Sequence, residues 1–141
     1  MRYLAYGCEV VFLVFLIGCG PSGPRQMKVW GEAFFDGKPI ESGTITLLPQ
    51  PGNAGTATGA DILNGHYEIP AKDGPLAGQT YKVEIKAQRK VGTMPHPFDP
   101  STMVDRMEDF IPTVYNAQSK LSAVISDKAS DNKHDFLLDR K

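Results

Sequence analysis

Cysteine is almost missing from this sequence, and its placement excludes an internal disulfide. The 141 residues contain two cysteines, Cys8 and Cys19, and none follows Cys19. A structural disulfide needs two cysteines within the folded part of the chain. The segment from residue 20 to residue 141 therefore cannot be cross-linked to itself.

A surplus of charge of one sign is also missing. The chain carries 15 Lys and Arg against 16 Asp and Glu, and no dense block of either sign. Nucleic acids and anionic membrane surfaces are recognised through basic patches. We therefore expect no nucleic acid among the partners.

The apolar run near the N-terminus is too short to cross a membrane. Val10–Ile17 is an uninterrupted apolar stretch that follows Arg2 and the amino terminus, whereas a membrane-spanning helix needs about 20 apolar residues. A short apolar stretch behind a positive start is typical of a signal peptide. The sequence thus predicts a signal peptide over residues 1–18 and export of the rest.

The end of this run resembles the bacterial lipobox, with Leu16-Ile17-Gly18-Cys19 at the junction. The resemblance implies cleavage between Gly18 and Cys19 and attachment of lipid to the Cys19 sulfur. A thiol is suited to this role because its sulfur is the nucleophile, and the small Gly18 leaves the bond accessible. The alternatives are a plain signal peptide, a short membrane anchor and a Cys8–Cys19 disulfide.

Glycine at position 20 resembles lipoproteins that are sent to the outer membrane. We therefore expect the protein at the cell envelope, on the exported side, with the outer membrane favoured over the inner one. Residues 19–27 include Gly20–Pro24, which has no hydrophobic pattern and is typical of a flexible tether. The domain itself is predicted to span residues 28–141.

Alternating apolar and polar residues, separated by turn signals, predict an all-β domain. TYKVEIKA, from residue 80, has apolar residues at every second position, and Asp36-Gly37 and Asn64-Gly65 are typical of tight hairpin turns. The 14 glycines and 11 prolines favour many turns over long helices. Seven strands are predicted, in KVWGEAFF, TITLLP, TATGADI, HYEIP, TYKVEIKA, SKLSAVIS and NKHDFLLD. This count favours a two-sheet, immunoglobulin-like or transthyretin-like sandwich.

Residues 90–112 break this pattern. The stretch contains four prolines and no alternation, so it is predicted to be one long loop. Ser101 is suited to cap a short helix within the loop, in which Met103, Met107 and Phe110 would share one face. Such a loop is either functional or a lid over the open end of the core.

Several short motifs together carry a resemblance to a known family. They are Val29-x-Gly31, Asp36-Gly37-Lys38-Pro39, Gly43-x-Ile45, Gly65-x-Tyr67, Gly78-x-x-Tyr81-x-Val83-x-Ile85, Ile111-Pro112-x-x-Tyr115-Asn116, Ser119-x-Leu121, and Asn132 before Phe136 and Leu138. In this order they resemble the small exported lipoproteins of planctomycete-type bacteria with a carboxypeptidase regulatory-like or transthyretin-like domain. The resemblance implies a seven-stranded sandwich and leaves the biochemical role open.

The sequence offers little support for an enzyme. His66, His96 and His134 are scattered, and none has metal-ligand spacing or lies in a nucleophile elbow. Transthyretin-like hydrolases end in a Tyr-Arg-Gly-Ser type of signature, and this chain ends Leu137-Leu138-Asp139-Arg140-Lys141. We expect no enzymatic activity, no catalytic residue, no metal and no cofactor. The alternative is a small-molecule carrier or hydrolase whose pocket near residues 90–112 brings His134 or His96 to loop carboxylates.

Trp30 and Phe34 are the candidate partner contacts. If Val29, Gly31, Ala33 and Phe35 face the core, strand alternation turns Trp30 and Phe34 to the opposite face, where they could bind an envelope protein or a glycan. The competing interpretation is that residues 90–112 fold over them. The sequence thus predicts a lipid-anchored, non-enzymatic binding or structural module at the cell envelope.

Overall fold

The computed structural model describes residues 23–140. The predicted signal peptide, the cleavage between Gly18 and Cys19, the lipid attachment at Cys19 and the sorting residue Gly20 lie outside these residues. Within them, no helix is long and apolar enough to span a bilayer.

Strands dominate the described chain, which is all-β as the alternation predicted. The nine strands are β1 (Val29–Phe35), β2 (Lys38–Pro39), β3 (Ser42–Pro49), β4 (Thr58–Leu63), β5 (His66–Ile69), β6 (Thr80–His96), β7 (Asp99–Asp109), β8 (Ser122–Val124) and β9 (Phe136–Leu138). The helices found between residues 23 and 140 are short 3-10 turns, at Ala71–Asp73, Thr113–Tyr115 and Ala129–Asp131.

The strands form one open sheet in the order β2-β1-β5-β4-β3-β6-β7. β8 pairs with the start of β6, and β9 pairs in parallel with the end of β1, whereas the other pairs are antiparallel. All seven predicted strands are present, and β2 and β7 are additional. The immunoglobulin-like count of seven strands is therefore not confirmed.

Both hairpin turns that the sequence predicted are confirmed. The Asp36-Gly37 turn has φ angles of 51° and 76°, and the Asn64-Gly65 turn has 50° and 83°. Positive φ at both central residues is the type I′ geometry, whose twist matches that of the flanking strands. The first turn brings Lys38 opposite Phe35, next to the cleft described below.

The core lies on one face of the sheet. In β1 the residues at odd positions are buried, and in β6 Tyr81, Val83, Ile85 and Ala87 are buried while the side chains between them are not. Each strand thus contributes every second side chain, as period-2 geometry requires. The C-terminal part of the chain closes this core, because Phe136 and Leu138 are buried beside β1.

The segment that leads into β9 packs closely on β1. A Cβ added at Gly31 would lie 1.8 Å from the His134 carbonyl oxygen, so only glycine fits there. The fully buried Asn132 fixes the preceding turn, since its Oδ1 accepts from the Ser126 amide at 2.7 Å and its Nδ2 donates to the Ser126 carbonyl at 3.1 Å. Buried polar groups of this kind need such partners.

Residues 90–112 do not form the predicted loop with a short helix. β6 continues past the core to His96 and pairs with β7, in register from Gln88↔Asp109 to His96↔Asp99. We call residues 88–109 the arm. The arm shows no apolar period because none of its side chains is buried. Its prolines are tolerated because a two-stranded arm leaves one side of each strand unpaired.

The chain contacts the domain before the predicted boundary at Lys28. Gln26 forms a bridge with Leu76, and the Met27 amide donates to the Pro75 carbonyl at 2.8 Å. Met27 itself is buried. Residues 25–27, assigned to the tether from the sequence, therefore lie against residues 75–77, just before β6.

Candidate functional site

The arm is an exposed two-stranded element that the core does not cover. All of its side chains are exposed except His96 and Val104, which are half-buried. At its tip the Phe98 side chain is 93% exposed, and the Phe98 amide donates to His96 Nδ1 at 3.2 Å. An isolated two-stranded hairpin is only marginally stable, so the core strand from which the arm extends supports its base.

Large apolar side chains are concentrated on the arm. Of the nine large hydrophobic side chains exposed in the described part of the chain, five belong to it, namely Val91, Met94, Phe98, Met103 and Met107. Methionine adapts to many partner shapes and is frequent at binding surfaces. The register places Met94 on one face of the arm and Met103 and Met107 on the other, so the arm offers apolar contacts on both faces, together with an edge of β7 that no described strand pairs with.

Ion pairs connect the two strands at the base of the arm. Lys90 pairs with Asp105, and Arg89 lies 3.9 Å from Glu108. Both pairs are exposed and contribute little to stability. The register shifts between Lys90 and Gly92 indicate a bulge, which bends a strand and increases its twist.

The arm and the tether lie at opposite ends of the domain. Residues 25–27 contact residues 75–77, immediately before β6, whereas the arm begins at Gln88. At about 3.3 Å per residue, the stretch of β6 from Thr80 to Gln88 covers roughly 25 Å, and the arm adds a similar length. The arm therefore points away from the point where the tether enters.

Trp30 and Phe34 share the outer face of β1, as strand alternation predicted. Both side chains are half-buried rather than fully exposed. The Lys28 ammonium lies 5.6 Å from the Trp30 ring centre, and the 80% exposed Leu137 is in register beside Phe34. The two aromatics thus belong to a mixed apolar and charged face.

The expectation that residues 90–112 fold over this face is wrong. Met103 and Met107 are exposed on the arm, and the Phe110 ring packs edge-on against Phe35, whose side chain lies on the core side of β1. Met103, Met107 and Phe110 therefore do not cover the face that carries Trp30 and Phe34.

His134 is the histidine with the most perturbed surroundings. Its Nε2 atom is buried and has no hydrogen-bond partner among the described residues. Burial lowers the pKa of His134, and the charge of Asp135 partly opposes this shift. The Asp135 carboxylate accepts from Lys133 Nζ at 2.8 Å and from the Glu32 amide at 2.9 Å, and these bonds, that from Lys133 above all, lower the pKa of Asp135.

The other two histidines lie elsewhere. His66 is exposed on β5, with Nδ1 3.5 Å from Glu32, and His96 lies at the tip of the arm. The three side chains are not brought together. Within residues 23–140, no group of three or more His, Cys, Asp or Glu is placed to hold a metal ion.

A half-open cleft of about 750 Å³ lies at the base of the arm. We call it the arm-base cleft. Its apolar wall is the edge-to-face pair of Phe35 and Phe110, whose ring centres are 5.6 Å apart. Arg140 and Arg89 lie over these rings, with 5.9 Å from the Arg140 guanidinium carbon to the Phe35 centre and 5.7 Å from that of Arg89 to the Phe110 centre.

Sequence reasoning missed this cleft because its parts are far apart in the chain. Phe35 ends β1, Phe110 follows β7, and Arg140 lies beyond β9. A signal for the arm was present in the opposite charges at Arg89 and Glu108, which become cross-strand neighbours. Neither His96 nor His134 lines the cleft. The cleft therefore differs from the pocket that the carrier or hydrolase alternative requires, in which one of these histidines meets loop carboxylates.

Comparison with known proteins adds no identity, since no protein-family model, curated protein or solved structure matches the chain.

Proposed function

We propose that the protein is a non-enzymatic binding module, exported and lipid-anchored at the cell envelope, and that the arm is its partner-binding element. The observation that carries this proposal is the arm itself, a long hairpin outside the core that holds five of the nine exposed large hydrophobic side chains. Exposed apolar clusters and free strand edges favour association.

A protein fits the arm better than a glycan does. The outer edge of β7 presents backbone N–H and C=O groups at strand spacing, and a strand from a partner protein can pair with them. The flexible methionines next to this edge can pack on partner side chains of different shapes. The partner that we infer is therefore an envelope protein that adds a strand or an apolar face to the arm.

The proposed anchor is the lipid on Cys19, as the lipobox-like junction at Leu16–Cys19 implies. Several acyl chains on one cysteine would give stable attachment, whereas a single chain binds only marginally. The outer membrane is the favoured location because of Gly20. The geometry suits an anchored module, since the arm extends from the end of the domain opposite the tether.

The finer fold assignment is also a proposal. We infer that the seven predicted strands correspond to the carboxypeptidase regulatory-like or transthyretin-like sandwich, and that β2 and the arm are additions to it. This inference is supported by the single core, in which alternate side chains of β1 and β6 are buried. Trp30 and Phe34 are proposed as a secondary contact, since Leu137 beside Phe34 extends the same apolar face.

Site-specific photo-crosslinking in cells that make the protein tests the binding role. The probe replaces Phe98 at the arm tip in one variant, Leu137 beside Phe34 in a second and Val124 in a third. Val124 is the matched control, because it is 63% exposed on β8 at the tether end. The expected result is one discrete adduct from position 98 and none from position 124.

An adduct from position 137 as well would include the Trp30 and Phe34 face in the interface. Adducts from position 124 alone, or the same diffuse pattern from all three positions, would contradict the assignment of the arm as the binding element.

A further inference from the structure

The arm-base cleft has a composition that selects a ligand by charge and by apolar contact. Four cationic side chains line it, Lys38, Arg89, Lys90 and Arg140, against the two carboxylates of Asp36 and Glu41. Lys90 is paired with Asp105, so Lys38 and the two arginines are the cations that remain for a ligand. The whole chain has a formal net charge of −1. The positive charge is therefore a local property of the cleft.

The two arginines each lie near one aromatic ring and one carboxylate, and neither makes a short hydrogen bond with its carboxylate. Arg89 lies 3.9 Å from Glu108 and Arg140 lies 3.7 Å from Asp36, both longer than the roughly 2.7–2.9 Å of a charge-assisted hydrogen bond. Their guanidinium groups lie over Phe110 and Phe35. A stacked guanidinium keeps its in-plane N–H donors for a further acceptor.

The apolar wall lies directly between these donors. Phe35 and Phe110 pack edge to face, and Ile40 and Met107 continue the apolar lining. A cleft of about 750 Å³ is in the size range of small-molecule sites, which combine an apolar lining with a few oriented polar groups. A ligand body could lie on the rings while its charged end reaches an arginine.

From this geometry we propose that the arm-base cleft binds a small organic acid, a carboxylate with an apolar body. The carboxylate is held by Arg89 and Arg140, with Lys38 adding positive charge at the rim. The body packs on Phe35, Phe110 and Met107. Met107 belongs both to the cleft and to β7, but the arm tip at Phe98 does not line the cleft, so the crosslinking result at position 98 and the ligand result can differ.

Isothermal titration of the purified full-length protein with 4-phenylbutanoate tests the proposal. 4-Phenylbutylammonium has the same body with the opposite charge, and acetate has the charge without the body. We expect 4-phenylbutanoate to bind with a dissociation constant of about 1 mM or tighter. The ammonium analogue and acetate are expected to bind at least about 10-fold more weakly, since one lacks the charge-assisted bonds and the other the apolar contact.

The matched variants are Arg89→Gln with Arg140→Gln, and Arg106→Gln as the control. Arg106 is exposed on β7 and does not line the cleft, so its loss removes a cationic side chain of the same kind without touching the site. The double variant should weaken 4-phenylbutanoate binding by about 10-fold or more, and Arg106→Gln should leave it within about twofold.

Three results would overturn the proposal. They are no binding of 4-phenylbutanoate at several times the expected constant, equal binding of the ammonium analogue, and an effect of Arg106→Gln as large as that of the double variant. If the glutamine pair fails to fold, Arg89→Lys with Arg140→Lys takes its place. Lysine keeps the charge and loses the forked donors, so unchanged affinity in that variant would also overturn the proposal.

Discussion

A single half-buried histidine, His134, is expected to make the stability of this domain depend on pH. The His134 backbone is fixed on both sides, because its amide donates to the Trp30 carbonyl at 2.9 Å and its carbonyl accepts from the Tyr67 hydroxyl at 2.6 Å. Its Nε2 atom has no partner in the described chain, and burial lowers the pKa of the ring. Protonation of the His134 ring is therefore less favourable in the folded state than in the unfolded state.

We predict that the free energy of unfolding falls when the pH is lowered from 7.5 to 5. The unfolded histidine has a pKa of about 6.5, so below that pH the unfolded state binds more protons than the folded state, and stability declines. His134→Leu should reduce this loss, because the variant has no titrating ring at this position. Within residues 23–140 the substitution breaks no side-chain hydrogen bond of the ring. Urea unfolding at the two pH values measures it.

His96→Leu is the control, since the arm tip contributes nothing to the core. The pH dependence of this variant should resemble that of the wild type. If His134→Leu shows the same decline as the wild type, another group causes it.

At the residue scale, sequence patterns predicted burial wherever strand alternation was strong. Tyr81, Val83 and Ile85 are buried as expected, and His134 lies on the inward phase as expected. The roles of Asn132 and Arg140 could not be predicted in this way. Each depends on a tertiary partner, the Ser126 backbone for Asn132 and the Phe35 ring for Arg140.

At the scale of elements, the arm extends beyond the core and contributes no buried side chain to it. Its side chains face solvent on both sides, and its strand-to-strand ion pairs are exposed. The contact of the arm region with the core is made just beyond its base, by Phe110 against Phe35. Stability and partner binding should therefore be separable.

We predict that shortening the arm leaves the domain stable. Replacing residues 91–106 with Asn-Gly joins Lys90 to Met107, which are partners in the register, through a two-residue turn of the favoured type. The free energy of unfolding should change by less than about 1 kcal/mol, as for other exposed sites. Phe110→Ala, which removes the ring at the base, should cost about 2 kcal/mol or more.

Chemical unfolding of the two variants beside the wild type gives the comparison. A loss on shortening as large as that of Phe110→Ala would mean that the arm is part of the cooperative fold. Apart from the opposite charges at Arg89 and Glu108, sequence patterns did not indicate the arm, because none of its side chains is buried. An element without a buried face has no hydrophobic period, and its prolines then favour the interpretation as a loop.

At the scale of the whole molecule, the domain has two structurally different ends. The tether enters next to the start of β6, and the arm and the arm-base cleft lie where β1 and β6 leave the core. The pairing of β9 with β1 links residues about a hundred positions apart, such as Ala33 and Phe136. Such pairings are set by tertiary packing, so the strand order could not be read from local patterns.

If the proposed anchor at Cys19 is correct, this polarity should hold the arm tip far from the lipid. Cleavage would remove Cys8 and acylation would occupy Cys19, so Gly23→Cys and Phe98→Cys each place one free thiol for a fluorophore. Position 23 has open space around an added side chain, and Phe98 is 93% exposed. Nitroxide-labelled lipid headgroups should quench the label at position 23 and leave the label at position 98 bright, because β6 alone places roughly 50 Å between the two ends. Equal quenching would mean that the arm lies along the membrane.

Adding Cys19→Ser should abolish the quenching at position 23, and quenching that persists in this variant would assign the attachment to another part of the chain.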